Sequence, residues 1–125
     1  MNTIKGIRSG VLKGPIQGST FHLIVEGNKV SGYYQTKLGR PDFEDKYEVT
    51  GFTDGEFIGF VVMWKGYHSI TSWTGRYGCD EKGEYIKSMW HIGSKYRDKS
   101  NTEETEEWNC FTTNQSLLYF VEDVK

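Results

Sequence analysis

Between Ile58 and Gly75 the sequence spells out a strand, a turn and a second strand with almost no interruption. The first half, Ile58-Gly59-Phe60-Val61-Val62-Met63-Trp64, is apolar on both faces, and a turn falls between Lys65 and His68. The second half alternates. Ser69, Thr71 and Trp73 share one side, and Ile70, Ser72 and Thr74 the other. Period-two alternation marks a strand with two unlike faces. A hairpin with this pattern directs two tryptophans, Trp64 and Trp73, and two hydroxyls, Ser69 and Thr71, toward one place. Aromatic walls with a few hydroxyls are the make-up of a small-molecule site.

The flanking sequence reads in the same idiom. Ile7–Lys13 is a weakly patterned first strand, broken by Gly14-Pro15-Ile16-Gln17-Gly18. Ser19–Val25 places Ser19, Phe21, Leu23 and Val25 on one side. Glu26-Gly27-Asn28-Lys29 turns the chain. On the next strand Val30, Gly32, Tyr34 and Thr36 share a face. Lys37–Lys46 is a polar connection of the kind that acts as a lid. Tyr47–Thr53 is a fourth strand, and Asp54-Gly55 turns into the opening hairpin. Glu81-Lys82-Gly83 then leads to Glu84–Ile92, which aligns Ile86, Ser88, Trp90 and Ile92. Gly93–Glu107 reads as a solvated loop, and Trp108–Val121 holds the last strand. With 15 glycines, 4 tryptophans, 8 tyrosines and few helix-forming runs, the chain favours short strands and tight turns. The expectation is one all-β domain over residues 1–125, an eight-stranded antiparallel up-and-down β-barrel. Closure removes the exposed edges of an open sheet, and a barrel of this strand number holds one small ligand.

Other function classes find little support. A net charge of -2 argues against a nucleic-acid footprint, and no apolar run reaches the length of a membrane span. No secretory signal follows Lys5 and Arg8, so the protein is expected in the cytoplasm, or secreted with its leader already removed. Cys79 and Cys110 lack metal spacing and fall at opposite ends of the expected barrel, so free thiols are the simpler reading. His22, His68 and His91 are scattered, and no nucleophile–base pair stands out. The expectation is a protein that is not an enzyme and carries no cofactor or metal.

Several stretches resemble the avidin and streptavidin family. They are Gly18-Ser19-Thr20-Phe21, Ser31-Gly32-Tyr33-Tyr34, Gly59 to Lys65, Ser69 to Gly75, Ser88-Met89-Trp90, and Trp108. Four tryptophans in the family's order, with hydroxyls between them, carry the resemblance over Gly10–Phe120. It implies a barrel that holds biotin non-covalently as its ligand. Ser19 and Tyr34 would donate to the ureido oxygen, and Thr36 would accept from a ureido nitrogen. Thr71 would face the thioether sulfur and Ser69 the valeryl carboxylate. Trp64, Trp73 and Trp90 would wall the pocket. Trp108 would reach a neighbouring subunit's pocket, implying a homo-oligomer, dimer or tetramer. The spacing is compatible: Tyr34 and Thr36 share one parity, as do Ser69, Thr71 and Trp73.

Two departures fall on the ureido end. The streptavidin pattern has an Asn before the Gly-Ser motif, where this chain has Pro15, or Gly14 if the alignment slips. The family's Asp or Asn on the last strand is replaced by Ser116, with Asn114 and Gln115 beside it. Each lost partner would cost about 1–3 kcal/mol, so reduced biotin affinity is expected. The loop Lys37–Lys46 is also slightly longer than the streptavidin pattern. Two alternatives stay open: an avidin-like barrel for a different small molecule, and a protein-interaction barrel that uses Trp108 and its aromatic surface.

Overall fold

Alternating strands joined by short turns pair with their sequence neighbours, and eight of them curl far enough to meet. The computed structural model describes residues 6–14, 19–36, 45–64, 69–94 and 111–122. The strands are β1 (Gly10–Lys13), β2 (Ser19–Glu26), β3 (Lys29–Thr36), β4 (Asp45–Thr53), β5 (Phe57–Trp64), β6 (Ser69–Asp80), β7 (Gly83–Ser94) and β8 (Phe111–Glu122). They form a closed antiparallel barrel in sequence order. β1 pairs with β8 to close it, with a register shift between Val11 and Leu12. This is the up-and-down barrel expected from the sequence.

Turn chemistry sets the registers. Gly27 takes a φ of 62° in the β2–β3 hairpin, a left-handed conformation that costs glycine nothing. The hairpin then pairs Glu26 with Lys29 and runs without a slip to Ser19 against Thr36. Gly32 is required for another reason. A Cβ there would lie 1.8 Å from the His22 carbonyl oxygen, and its φ is 124°. At the β4–β5 turn, Asp54 Oδ1 accepts from the backbone N–H groups of Glu56 (3.0 Å) and Phe57 (2.8 Å). Those N–H groups hold the Asp54 carboxyl below its ordinary pKa.

The inward side chains stack along the barrel. Leu12, Leu23, Val30, Val49, Ile58, Phe60, Val62, Ile86 and Leu118 are buried. The end toward β4–β5 and β6–β7 turns is stoppered. Ile7 is buried there, and its N–H donates to the Gly55 carbonyl at 2.8 Å. The Arg8 guanidinium forks onto Glu84 through bonds of 3.0 and 2.8 Å and lies 4.4 Å from the centre of the Phe120 ring. The Tyr77 hydroxyl donates to the same carboxylate.

Several boundaries differ from the sequence expectation. β1 begins at Gly10, because Ile7 and Arg8 leave the sheet to cover the stoppered end. β4 begins at Asp45, which pairs with Thr36, so the polar connection ends before Asp45. β6 and β7 run on together, to Asp80 and from Gly83, past the expected limits. Pro15, His68, Trp108, Cys110 and most of the Lys37–Lys46 and Gly93–Glu107 connections lie outside the described residues, as does the Thr36 side chain. Cys79 is exposed with a free thiol.

Candidate functional site

Opposite the stoppered end, the barrel contains a cavity of about 320 Å³. Its described lining is Gly14, Ser19, Phe21, Tyr34, Trp64, Thr71, Trp73, Trp90, Ile92, Asn114, Gln115, Ser116 and Leu118. Parity brings most of these side chains inside: Ser19 and Phe21 on β2, Thr71 and Trp73 on β6, Trp90 and Ile92 on β7, Ser116 and Leu118 on β8. Strand pairing then sets them side by side. Trp73 lies opposite Trp90, and Ser88 opposite Ser116.

The aromatic wall is one continuous stack. Trp73 lies on Phe60 with ring centroids 5.0 Å apart and planes 17° apart. Phe21 meets Trp73 edge-on at 5.3 Å and tilts against Tyr34 at 4.8 Å. Tyr34 and Tyr47 both present edges to Trp64, at 5.2 and 4.9 Å. Each such pair adds about 0.5–1.5 kcal/mol beyond its buried area, so the wall is held together by contacts among its own rings.

Two of the cavity's hydroxyls are tied to indoles. Trp64 Nε1 donates to Thr71 Oγ1 at 2.8 Å, and Trp90 Nε1 donates to Ser116 Oγ at 3.0 Å. Ser88 Oγ donates to the Ser116 carbonyl at 2.9 Å and pins β8 to β7 at that level. Ser19 and Thr71 are buried, at 3% exposure each. None of the described lining residues carries a charge at neutral pH, so the described lining offers hydrogen bonding and shape.

The cavity thus gathers Ser19, Tyr34, Trp64, Thr71, Trp73, Trp90 and Ser116 from the residues singled out in the sequence. Ser69 is not in its described lining. It lies opposite Trp64 and Ser94, and its buried Oγ has no hydrogen-bond partner among the described residues. Thr36 pairs with Ser19 through the backbone at the same level. Trp108 and Pro15 are outside the described residues. Sequence reasoning passed over Phe21, Ile92 and Leu118 as cavity residues, although each shares parity with a chosen neighbour. Tyr47, which backs Trp64, was read only as the start of a strand.

The sequence profile of the Avidin family matches residues 17–115. Afifavidin from Afifella pfennigii is 34% identical over 103 residues, covering 76% of this chain and 62% of afifavidin. The chain therefore spans less than two thirds of that relative's length. Among solved structures, the short afifavidin–biotin complex is similar at 28% identity and a TM-score of 0.67, covering 92% of this chain and 90% of that one. The rhizavidin–biotin complex gives 23% identity and a TM-score of 0.71, with 95% and 96% covered. A closed eight-stranded barrel, a tryptophan-walled cavity at one end and a profile match over most of the sequence lead to one assignment: this chain belongs to the avidin family.

Proposed function

We propose that this protein binds biotin non-covalently inside the barrel, with an affinity below that of the family's strongest binders. Avidin-family proteins bind without catalysing a reaction, and no chemical step is assigned. The observation that carries the reading is the cavity itself, where Trp64, Trp73 and Trp90 surround the hydroxyls of Ser19, Tyr34, Thr71 and Ser116. Its volume of about 320 Å³ sits at the small end of ligand pockets, which suits a fused bicyclic ring. In this reading the ureido group lies at Ser19, Tyr34, Thr36 and Ser116. The thioether sulfur meets Thr71, and the valeryl chain leads out toward Ser69, whose hydroxyl has no partner among the described residues and suits a carboxylate. Aromatic walls held together by their own contacts cut the ordering cost of binding. The lowered affinity follows from Ser116, a neutral side chain where a carboxylate or amide would bind a ureido nitrogen more strongly.

The protein acts as a homo-oligomer in this proposal. Support comes from apolar side chains on the outer face: Val61, Met63, Ile70 and Met89 are 42%, 55%, 49% and 52% exposed. Trp108 lies outside the described residues; the family resemblance would have it reach a neighbouring subunit's cavity.

Titration calorimetry with biotin and with desthiobiotin tests the binding reading. Biotin is expected to saturate one site per chain and to raise the melting temperature. Trp73→Ala is expected to weaken binding by at least about tenfold, since it removes the side chain that spans the wall. No heat and no thermal shift at saturating biotin would overturn the proposal.

A further inference from the structure

We infer that Ser116, held by the indole of Trp90, presents a hydroxyl hydrogen to the cavity. The site then accepts a ligand ring with a hydrogen-bond acceptor at that position, as well as one with an N–H. This inference rests on the biotin-type binding reading above and goes further, to the class of ring that the site takes.

The geometry assigns each valence of the hydroxyl in turn. An indole N–H only donates, so the 3.0 Å contact from Trp90 Nε1 occupies one lone pair of Ser116 Oγ. A serine hydroxyl has one hydrogen and two lone pairs. One hydrogen and one lone pair therefore remain. No acceptor for that hydrogen is present among the described residues, and Ser116 lines the cavity. The backbone at this point is fixed, because Ser88 Oγ holds the Ser116 carbonyl at 2.9 Å. Trp90 and Ser116 both line the cavity, so the hydroxyl that keeps the remaining hydrogen and lone pair sits at its wall.

A second pair repeats the arrangement. Trp64 Nε1 occupies one lone pair of Thr71 Oγ1 at 2.8 Å, on the facing hairpin. The cavity thus contains two indole-anchored hydroxyls, and no carboxylate occurs in its described lining. A carboxylate in place of Ser116 would offer lone pairs only, and a ring acceptor set against it would be left unpaired. A hydroxyl meets either partner by turning its hydrogen. The ligand class that follows is a five-membered ring whose carbonyl is flanked by one N–H and one ring oxygen, a cyclic carbamate, alongside the cyclic urea.

The test is calorimetry on the wild type, Ser116→Asp and Ser116→Ala. The ligands are biotin and two carbamate analogues, in which one or the other ureido N–H is replaced by a ring oxygen. In the wild type, one of the two isomers is expected to bind within about tenfold of biotin, the scale of one neutral hydrogen bond. Ser116→Asp is expected to reject that isomer by about a hundredfold relative to biotin, and Ser116→Ala to lose the preference between isomers. Biotin binding with rejection of both isomers by the wild type, by about a hundredfold or more, would overturn this inference alone. No binding of biotin itself would overturn the underlying reading and this inference with it. The wild-type comparison decides the question even if Ser116→Asp does not fold.

Discussion

Thr71 shows how much of the cavity depends on single atoms. The residue is 3% exposed, and its hydroxyl accepts from Trp64 Nε1. Thr71→Val keeps the shape and removes the acceptor. The half-buried Trp64 indole then loses its partner, and stability is expected to fall by about 1 kcal/mol in chemical denaturation. Thr71→Ser, which keeps the oxygen, is expected to lose less. A Thr71→Val variant as stable as the wild type would show that the hydrogen bond contributes nothing here, and a larger loss in Thr71→Ser than in Thr71→Val would show that the methyl group's packing outweighs it.

At the scale of elements, the β4–β5 turn offers a prediction that depends on pH. The Asp54 carboxylate caps two backbone N–H groups and has a lowered pKa in the folded state. A group with a depressed folded pKa stabilises the fold above its unfolded pKa and loses that contribution as pH falls through the folded value. Asp54→Ala is therefore expected to melt below the wild type at neutral pH. The gap should close as pH falls into the range where Asp54 protonates. A gap that is constant down to about pH 3 would show that the carboxylate's charge is not what holds this turn.

Most elements were legible because period-two alternation is a local property. β5 and β6, with Trp64, Thr71 and Trp73 on the inner face, could be read directly from residue spacing. The resemblance added the order of the tryptophans and pointed to Ser116 on β8. What alternation does not carry is depth along the barrel. Phe21 and Leu23 have the same parity on β2, yet Phe21 lines the cavity and Leu23 lies in the filled part of the core. Ser69 and Thr71 also share a side, but only Thr71 is in the described lining. Depth depends on strand tilt and on register across neighbours, which are properties of the closed sheet. The same limit explains why β1 was read as starting at Ile7. Nothing local distinguishes an apolar residue in a strand from one that stoppers the end.

At the scale of the molecule, the outer surface divides by strand. Met63 faces Ile70 across β5 and β6, and Met89 lies across from Thr74 on β7. Apolar residues scattered singly on a surface need no explanation, but neighbouring ones mark a contact face. Placing two carboxylates there with Met63→Glu and Ile70→Glu leaves the interior untouched. Sedimentation is expected to show the variant as a monomer and the wild type as a larger species. A wild type that is already monomeric at micromolar concentration would remove the oligomer proposal and leave the cavity reading intact.

The pairing of β1 with β8 has a consequence for how the protein is made. The first strand of the cylinder waits for the last one, so the ring cannot close until almost the whole barrel sequence has been synthesised. Until then β1 and the growing edge both expose unpaired backbone groups, which are templates for pairing with the wrong chain. Contacts so far apart in sequence also form slowly, on the millisecond-to-second scale typical of β topologies. β1 is the shortest strand, with 4 residues, and its register shifts within the seam. The join that completes the molecule is thus also the place where a nascent copy is most exposed to its neighbours, and where hydrogen exchange should find the finished barrel opening first.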